Sequence, residues 1–300
     1  MSTTCGAGRG PRLVRMPEDD ANPHIRPATP AERADPRGMH AANRQAWDEA
    51  AERYEGWFAE AVELISSGGT NLLPLELELI GDLHGRCPRA IHLQCAGGRD
   101  TLSLWNLGAD EVIGVDFSPR MLALAERLST AVGAPARWIE ADVLDTPHEL
   151  DGTADLVYTG RGSLMWLQDL DAWAAVLYRL LAPGGRLVLF EGHPAEWLFD
   201  ADADGGWIAT DYDYFAGPEA SKGWAPEYID RLSLRDDDQA WKFARAWTLG
   251  EIVTPILGSG LRVERFAEHP TDWWNGHADV RADERGRIPL SFSVLARRDG

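Results

Sequence analysis

Two short buried strands, linked by a glycine turn and a helix, set the limits on how this chain folds. Ala90–Cys95 (AIHLQC) has the nearly unbroken apolar character of a strand covered on both faces. It runs directly into Ala96-Gly97-Gly98-Arg99-Asp100-Thr101, which opens a helix over Thr101–Leu107. Glycines at such a turn let backbone approach a ligand closely. Eighteen residues past Gly98, a second strand, Val112–Asp116 (VIGVD), ends on a carboxylate. An acid in that place accepts hydrogen bonds from ribose hydroxyls. Together these features describe a nucleoside site at the carboxyl ends of parallel strands, and hence an α/β chain.

The same rhythm continues downstream. Pro119–Val132 reads as a helix, with Ser118 at its cap and Pro119 at its first position. Strands are expected at Ala136–Glu140, Asp155–Thr159 and Arg186–Glu191, with a helix over Leu170–Leu181. Such alternation builds a parallel sheet with helices on both faces. Leu249–Leu257 is a further helix. Arg262–Glu268 and Leu290–Arg297 are strands joined without a helix-length pattern, which makes them antiparallel. Upstream, Trp47, Ala50, Ala51, Tyr54 and Phe58 recur at helical spacing between Met39 and Ser66, and Leu75–Leu83 forms another helix. Residues 1–37 hold six of the 18 prolines and no apolar period, so they read as a disordered tail. One domain is expected over 38–300, with N-terminal cap helices in 38–85 and an aromatic, acidic insertion at 194–245 on the substrate side.

Charge narrows the ligand. A dinucleotide turn carries a third glycine and receives a pyrophosphate at the helix N-terminus. Here Thr101 stands where that glycine would fall, and Asp100 opens the helix. A carboxylate there repels a diphosphate and suits a cation, which favours S-adenosylmethionine over NAD. The whole chain carries 48 acidic and 29 basic side chains, a net charge of −19. That balance argues against nucleic acid and anionic membrane as partners. No apolar run is long enough to span a bilayer, and the N-terminus lacks the apolar segment of an export signal. Cys5, Cys87 and Cys95 form no paired framework, which fits a reducing cytoplasm.

Five segments, in order, carry a resemblance: HLQCAGGRDT from His92, GVDFS from Gly114, EADV from Glu140, DLVYT from Asp155 and LAPGG from Leu181. The chain from about Met39 to Arg298 resembles the class I S-adenosylmethionine-dependent methyltransferases, of the kind that act on small molecules in bacteria. The resemblance implies a Rossmann-like seven-stranded sheet of order 3-2-1-4-5-7-6, with strand 7 antiparallel. It implies cofactor contacts at Gln94, Cys95, Ala96, Asp116, Phe117, Asp142, Val143 and Thr159, with Gly97 in the turn and Ser118 after the ribose acid. Asp142 would accept from the adenine amino group while Val143 packs on the ring. Asn43–Tyr54 resembles the helix that caps the cofactor, which gives Trp47 and Tyr54 a place over it, although aromatics at helical spacing also serve as core. The chain departs from the pattern at His92, where most members carry an acid, and at Ala96, where they carry glycine.

The expected reaction is direct methyl transfer to a small-molecule acceptor. Two residues are candidates for a general base. His193 follows the fifth strand at the mouth of the sheet, and Tyr158 lies near the end of the fourth. Attack within the cofactor, releasing methylthioadenosine, is an alternative, as is a non-catalytic nucleoside-binding module. No metal is expected. Asp200-Ala-Asp202-Ala-Asp204-Gly205 begins like a calcium loop, but its twelfth position is Asp211 rather than glutamate.

Overall fold

Local signals account for most element boundaries. The structure, a computed structural model, describes residues 24–224, 229 and 232–300. It opens with β1 (Ile25–Pro27), α1 (Pro30–Arg33), α2 (Pro36–Gly56), α3 (Phe58–Ser66) and α4 (Pro74–Ile80). The expected alternation follows: β2 (Arg89–Leu93), α5 (Arg99–Asn106), β3 (Glu111–Asp116), α6 (Pro119–Val132), β4 (Ala136–Glu140), β5 (Ala154–Gly160), α7 (Leu170–Leu180) and β6 (Leu181–Gly192). Four three-residue strands come next: β7 (Phe199–Ala201), β8 (Trp207–Ala209), β9 (Glu219–Ser221) and β10 (Lys242–Ala244). The chain closes with α8 (Leu249–Gly258), β11 (Arg262–His269), α9 (Ala282–Arg285) and β12 (Ser291–Arg297). Helix α6 starts where Ser118 accepts from the Met121 N–H and stops at Gly133 in the left-handed conformation.

The main sheet has the order β11-β12-β6-β5-β2-β3-β4. Neighbours from β6 to β4 are parallel, and β12 is antiparallel to both β6 and β11. In fold-family terms this is 3-2-1-4-5-7-6 with strand 7 reversed, as the resemblance implies. Strand parity divides the core. Ile91, Leu93, Ile113, Val115 and Val157 face α7 and α8, while Ala90, Val112, Leu156 and Val188 face α3, α4 and α5. Tyr158 points to this second side, opposite His92 in the pairing register.

The tail reading is corrected for residues 24–37, while residues 1–23 lie outside the described residues. Ile25–Pro27 pairs antiparallel with Glu219–Ser221, which also pairs with Lys242–Ala244. Thr29 and Glu32 form a capping box, and Pro30 and Pro36 begin helices. Pro30 and Pro36 are helix starters and Pro27 closes a strand, so none of the three marks disorder. Asn43 on α2 ties this small sheet down: its amide donates to Trp166 O and Phe243 O, and its Oδ1 accepts from Phe243 N. In the acidic stretch, Asp202 Oδ1 accepts from Asp204 N and Gly206 N, so this aspartate closes the β7–β8 turn. Among the described residues no helix is long and apolar enough to cross a membrane.

Candidate active site

A cavity of about 350 Å³ opens at the carboxyl ends of β2, β3 and β5. Its floor is the glycine turn. Gln94 and Ala96 both take positive φ, 58° and 44°, which is uncommon for residues with a Cβ. Backbone bonds hold the turn in this conformation: Cys95 N donates to Val115 O at 3.1 Å, and Ala96 N donates to Asp116 Oδ2 at 2.8 Å. Asp116 Oδ1 accepts from Ser118 N at 2.9 Å. Burial pushes the Asp116 carboxyl up to about 6, against the pull of those two N–H donors. The roof comes from α2. Tyr54 stands over Gly97, where a Cβ would approach its ring to 3.3 Å. Trp47 packs edge-on against Tyr54, Trp166 and Trp224.

The other end of the cavity is polar. Gln94 Nε2 donates to Ser163 O at 2.9 Å, which leaves Oε1 buried without a hydrogen-bond partner among the described residues. Arg161 enters from the loop after β5. It pairs with Asp100, donates to Asn71 O at 3.1 Å, and lies 3.6 Å from Glu76 Oε1. Burial works against its charge, and the facing Asp100, Tyr158 and Glu76 outweigh that cost. The Arg161 Nε is buried, makes no hydrogen bond among the described residues and faces Glu76 Oε1 across that 3.6 Å. Asp100 is therefore ion-paired rather than bare, which revises the reading of its charge. An acceptor without a donor, Gln94 Oε1, thus stands in the same wall as a guanidinium. Such a wall fits a zwitterionic amino-acid group, and the cavity as a whole fits a nucleoside that carries one.

The family described as "Methyltransferase domain" matches residues 90–185. Trans-aconitate 2-methyltransferase of Methylobacterium radiotolerans is 36% identical over 201 residues, which cover 62% of this chain and 73% of that protein. The chain belongs to the class I S-adenosylmethionine-dependent methyltransferases. S-adenosylmethionine is the cofactor of this class. Demethylmenaquinone methyltransferase of Thermus thermophilus is 45% identical over 84 residues, which cover 28% of this chain and 37% of that protein. The chain thus aligns with well under half the length of that relative. An S-adenosylmethionine-dependent methyltransferase from Mesorhizobium loti shares the fold, with a TM-score of 0.54 at 24% identity over 75% of this chain and 96% of that one.

Of the residues expected to hold the cofactor, Trp47, Tyr54, Gln94, Cys95, Ala96, Gly97, Asp116 and Phe117 line the methyltransferase cavity. Ser118 stands behind it: its N–H fixes Asp116, and its hydroxyl donates to Asp48 at 2.5 Å. Thr159 is fully buried, with Oγ1 3.3 Å from Ser163 Oγ. Asp142 and Val143 are not in the lining. Asp142 Oδ2 meets His40 Nδ1 at 2.7 Å, its Oδ1 accepts from Leu144 N, and Val143 packs into the main core.

Both candidate bases are corrected. Tyr158 is buried on the opposite face of β5 and donates to Glu76. Burial and that carboxylate push its phenol well above the ordinary range. His193 lies outside the cavity. Its Nε2 meets Glu268 at 2.9 Å, its Nδ1 accepts from Ala195 N, and burial lowers its pKa. His92 bonds Thr101 at 2.8 Å, and burial lowers its pKa to about 4, so it is neutral near pH 7. Sequence reading missed Asn71, Arg161, Trp166, Trp273 and Trp274. Gly160-Arg161-Gly162, directly after a strand that points at the site, was a usable signal for Arg161. Trp273 and Trp274 belong to a run of aromatics late in the chain, part of which was expected to line a pocket, but nothing local marks these two as the ones that reach the site.

Proposed function

We propose that this chain transfers the methyl group of S-adenosylmethionine to a small-molecule acceptor. The carrying observation is Asp116, a buried carboxylate that both pins the strained turn and faces the cavity under the Tyr54 roof. The donor arrives with its methyl activated by a positive sulfur, so the chain's work is placement and exclusion of water. Alignment of this kind supplies roughly 7–11 kcal/mol of a barrier. Gly97 and Ala96 offer backbone to the nucleoside, Asp116 accepts from its ribose, and Gln94 and Arg161 meet the amino-acid arm. With Tyr158 and His193 turned elsewhere, the reading suits an acceptor that reaches the cavity with a lone pair already free. The names of the curated relatives, which act on trans-aconitate and demethylmenaquinone, support a small organic acceptor.

Calorimetry with S-adenosylhomocysteine tests the cofactor site. Asp116→Ala should lose binding while melting as a folded protein, and unchanged affinity would refute the ribose assignment. Mass spectrometry of the products separates the reactions. Methylthioadenosine formed from S-adenosylmethionine alone would favour attack within the cofactor. Methylated acceptor together with S-adenosylhomocysteine is the expected result.

A further inference from the structure

A second, smaller chamber of about 50 Å³ lies beside the cofactor cavity and shares Gly162 and Trp274 with it. That volume suits a small polar head rather than a ring. Trp274 rests on Gly162, where a Cβ would meet the indole at 2.5 Å, so a glycine and the ring upon it form the common wall. Glu196 lies across the chamber, with Oε1 2.9 Å from where a Cβ on Gly192 would stand. Its carboxylate has no hydrogen bond or ion pair among the described residues. Trp273 Nε1, 3.8 Å from the same point, is buried without an acceptor among them.

The other charged groups on the chamber are engaged in part: Arg245 keeps its Nε hydrogen buried without an acceptor among the described residues. Glu191 accepts from the backbone N–H groups of Gly162, Ser163, Leu164 and Gly192 at 2.5, 2.9, 3.1 and 2.9 Å. Arg245 is paired with Glu251 and lies 3.9 Å over the Trp247 ring. Burial, with the carboxylates of Asp272 and Glu191 nearby, pushes the Glu196 carboxyl well above its ordinary range. A group in that condition is stabilised by an arriving cation. Trp197 and Trp274, the latter with its ring centroid 3.8 Å from that of Trp273, also line the chamber, and aromatic rings attract positive charge.

We propose that this chamber is the acceptor subsite and that it recognises a protonated amine, with Glu196 as the counter-ion and Trp197 and Trp274 as walls. The proposal rests on the methyl-transfer reading and narrows its acceptor to a small molecule that carries an ammonium for recognition beside a separate atom, with a free lone pair, that takes the methyl. A carboxylate head would face Glu196 and Glu191 together.

The test uses the full chain loaded with S-adenosylhomocysteine and titrated with butylammonium, butanol and butanoate, read by intrinsic tryptophan fluorescence. A saturable change with butylammonium alone is expected, and Glu196→Gln should raise its apparent Kd by about tenfold or more. An equal response to butanol, a preference for butanoate, or an unchanged Kd in Glu196→Gln overturns the proposal. The substitution keeps the side chain's size, and retained affinity for S-adenosylhomocysteine verifies the variant's fold. Trp197→Leu, which removes a wall and no charge, should weaken butylammonium and leave the indifference to butanoate. In turnover with acceptors that carry an ammonium beside the reacting atom, Glu196→Gln should act on KM far more than on kcat. If S-adenosylhomocysteine fails to bind the parent chain, the methyl-transfer reading itself falls, and that is measured before any amine is added.

Discussion

Asp116 carries the residue-scale consequences. Ribose hydroxyls donate to its ionised form, so binding favours loss of a proton from a group that titrates near pH 6 in the free protein. Affinity for S-adenosylhomocysteine should be flat above pH 7 and weaken as pH falls through 6, by at most tenfold per pH unit. Calorimetry in buffers of different ionisation enthalpy should register the released proton. Stability has the opposite sign. The folded pKa lies above the unfolded value of 3.8, so the native state holds this proton more tightly, and rising pH between the two costs stability. Acid therefore empties the site without unfolding the chain through this group. Arg161 separates the two halves of the ligand. Arg161→Ala should weaken S-adenosylhomocysteine by tenfold or more while leaving methylthioadenosine, which lacks the amino-acid arm, nearly unaffected. Equal losses for both would place the guanidinium elsewhere.

At the scale of elements, strand parity decides what the linear pattern could not. The turn at Cys95–Thr101 and the acid at Asp116 were legible because both are local: glycine spacing and a strand's last residue suffice. The parallel direction of the main-sheet strands and the antiparallel closing pair were legible from alternation, whereas their order came from the resemblance to the methyltransferase family. Tyr158 was misread because a strand end points in two directions. Its neighbour Thr159 faces one side of β5, while Tyr158 faces α4, where Glu76 accepts its hydroxyl. Tyr158→Phe should accordingly cost about 1–3 kcal/mol of stability, by stripping a buried carboxylate of a donor, and should leave the pH profile of turnover in place. Denaturant melts and pH–rate curves check both halves. His193 was misread for a related reason. Position at a strand mouth says nothing of whether a ring turns inward, and Glu268 on β11 holds this one outside the cavity.

Across the whole molecule, the segments the sequence left dark are those whose partners lie far away. The strand at Ile25–Pro27 is too short to signal itself and exists because Glu219–Ser221 pairs with it. A chain beginning at residue 36 should keep the seven-stranded sheet, melt earlier, and be cut several-fold faster by trypsin at Lys222 and Lys242, near the strands that lose their partner. Proteolysis followed by mass spectrometry would record this, and unchanged cleavage would show that the small sheet stands without its first strand. Asn43 gives this arrangement a mechanical reading. Three hydrogen bonds from one amide fasten the helix that roofs the nucleoside pocket to Trp166 and Phe243. Roof and annex are riveted there and again where Glu49 accepts from Ala240 N and Glu52 from Ser233, so slack introduced in either is felt at once by the other, and pocket rigidity is set partly by residues that never touch a ligand.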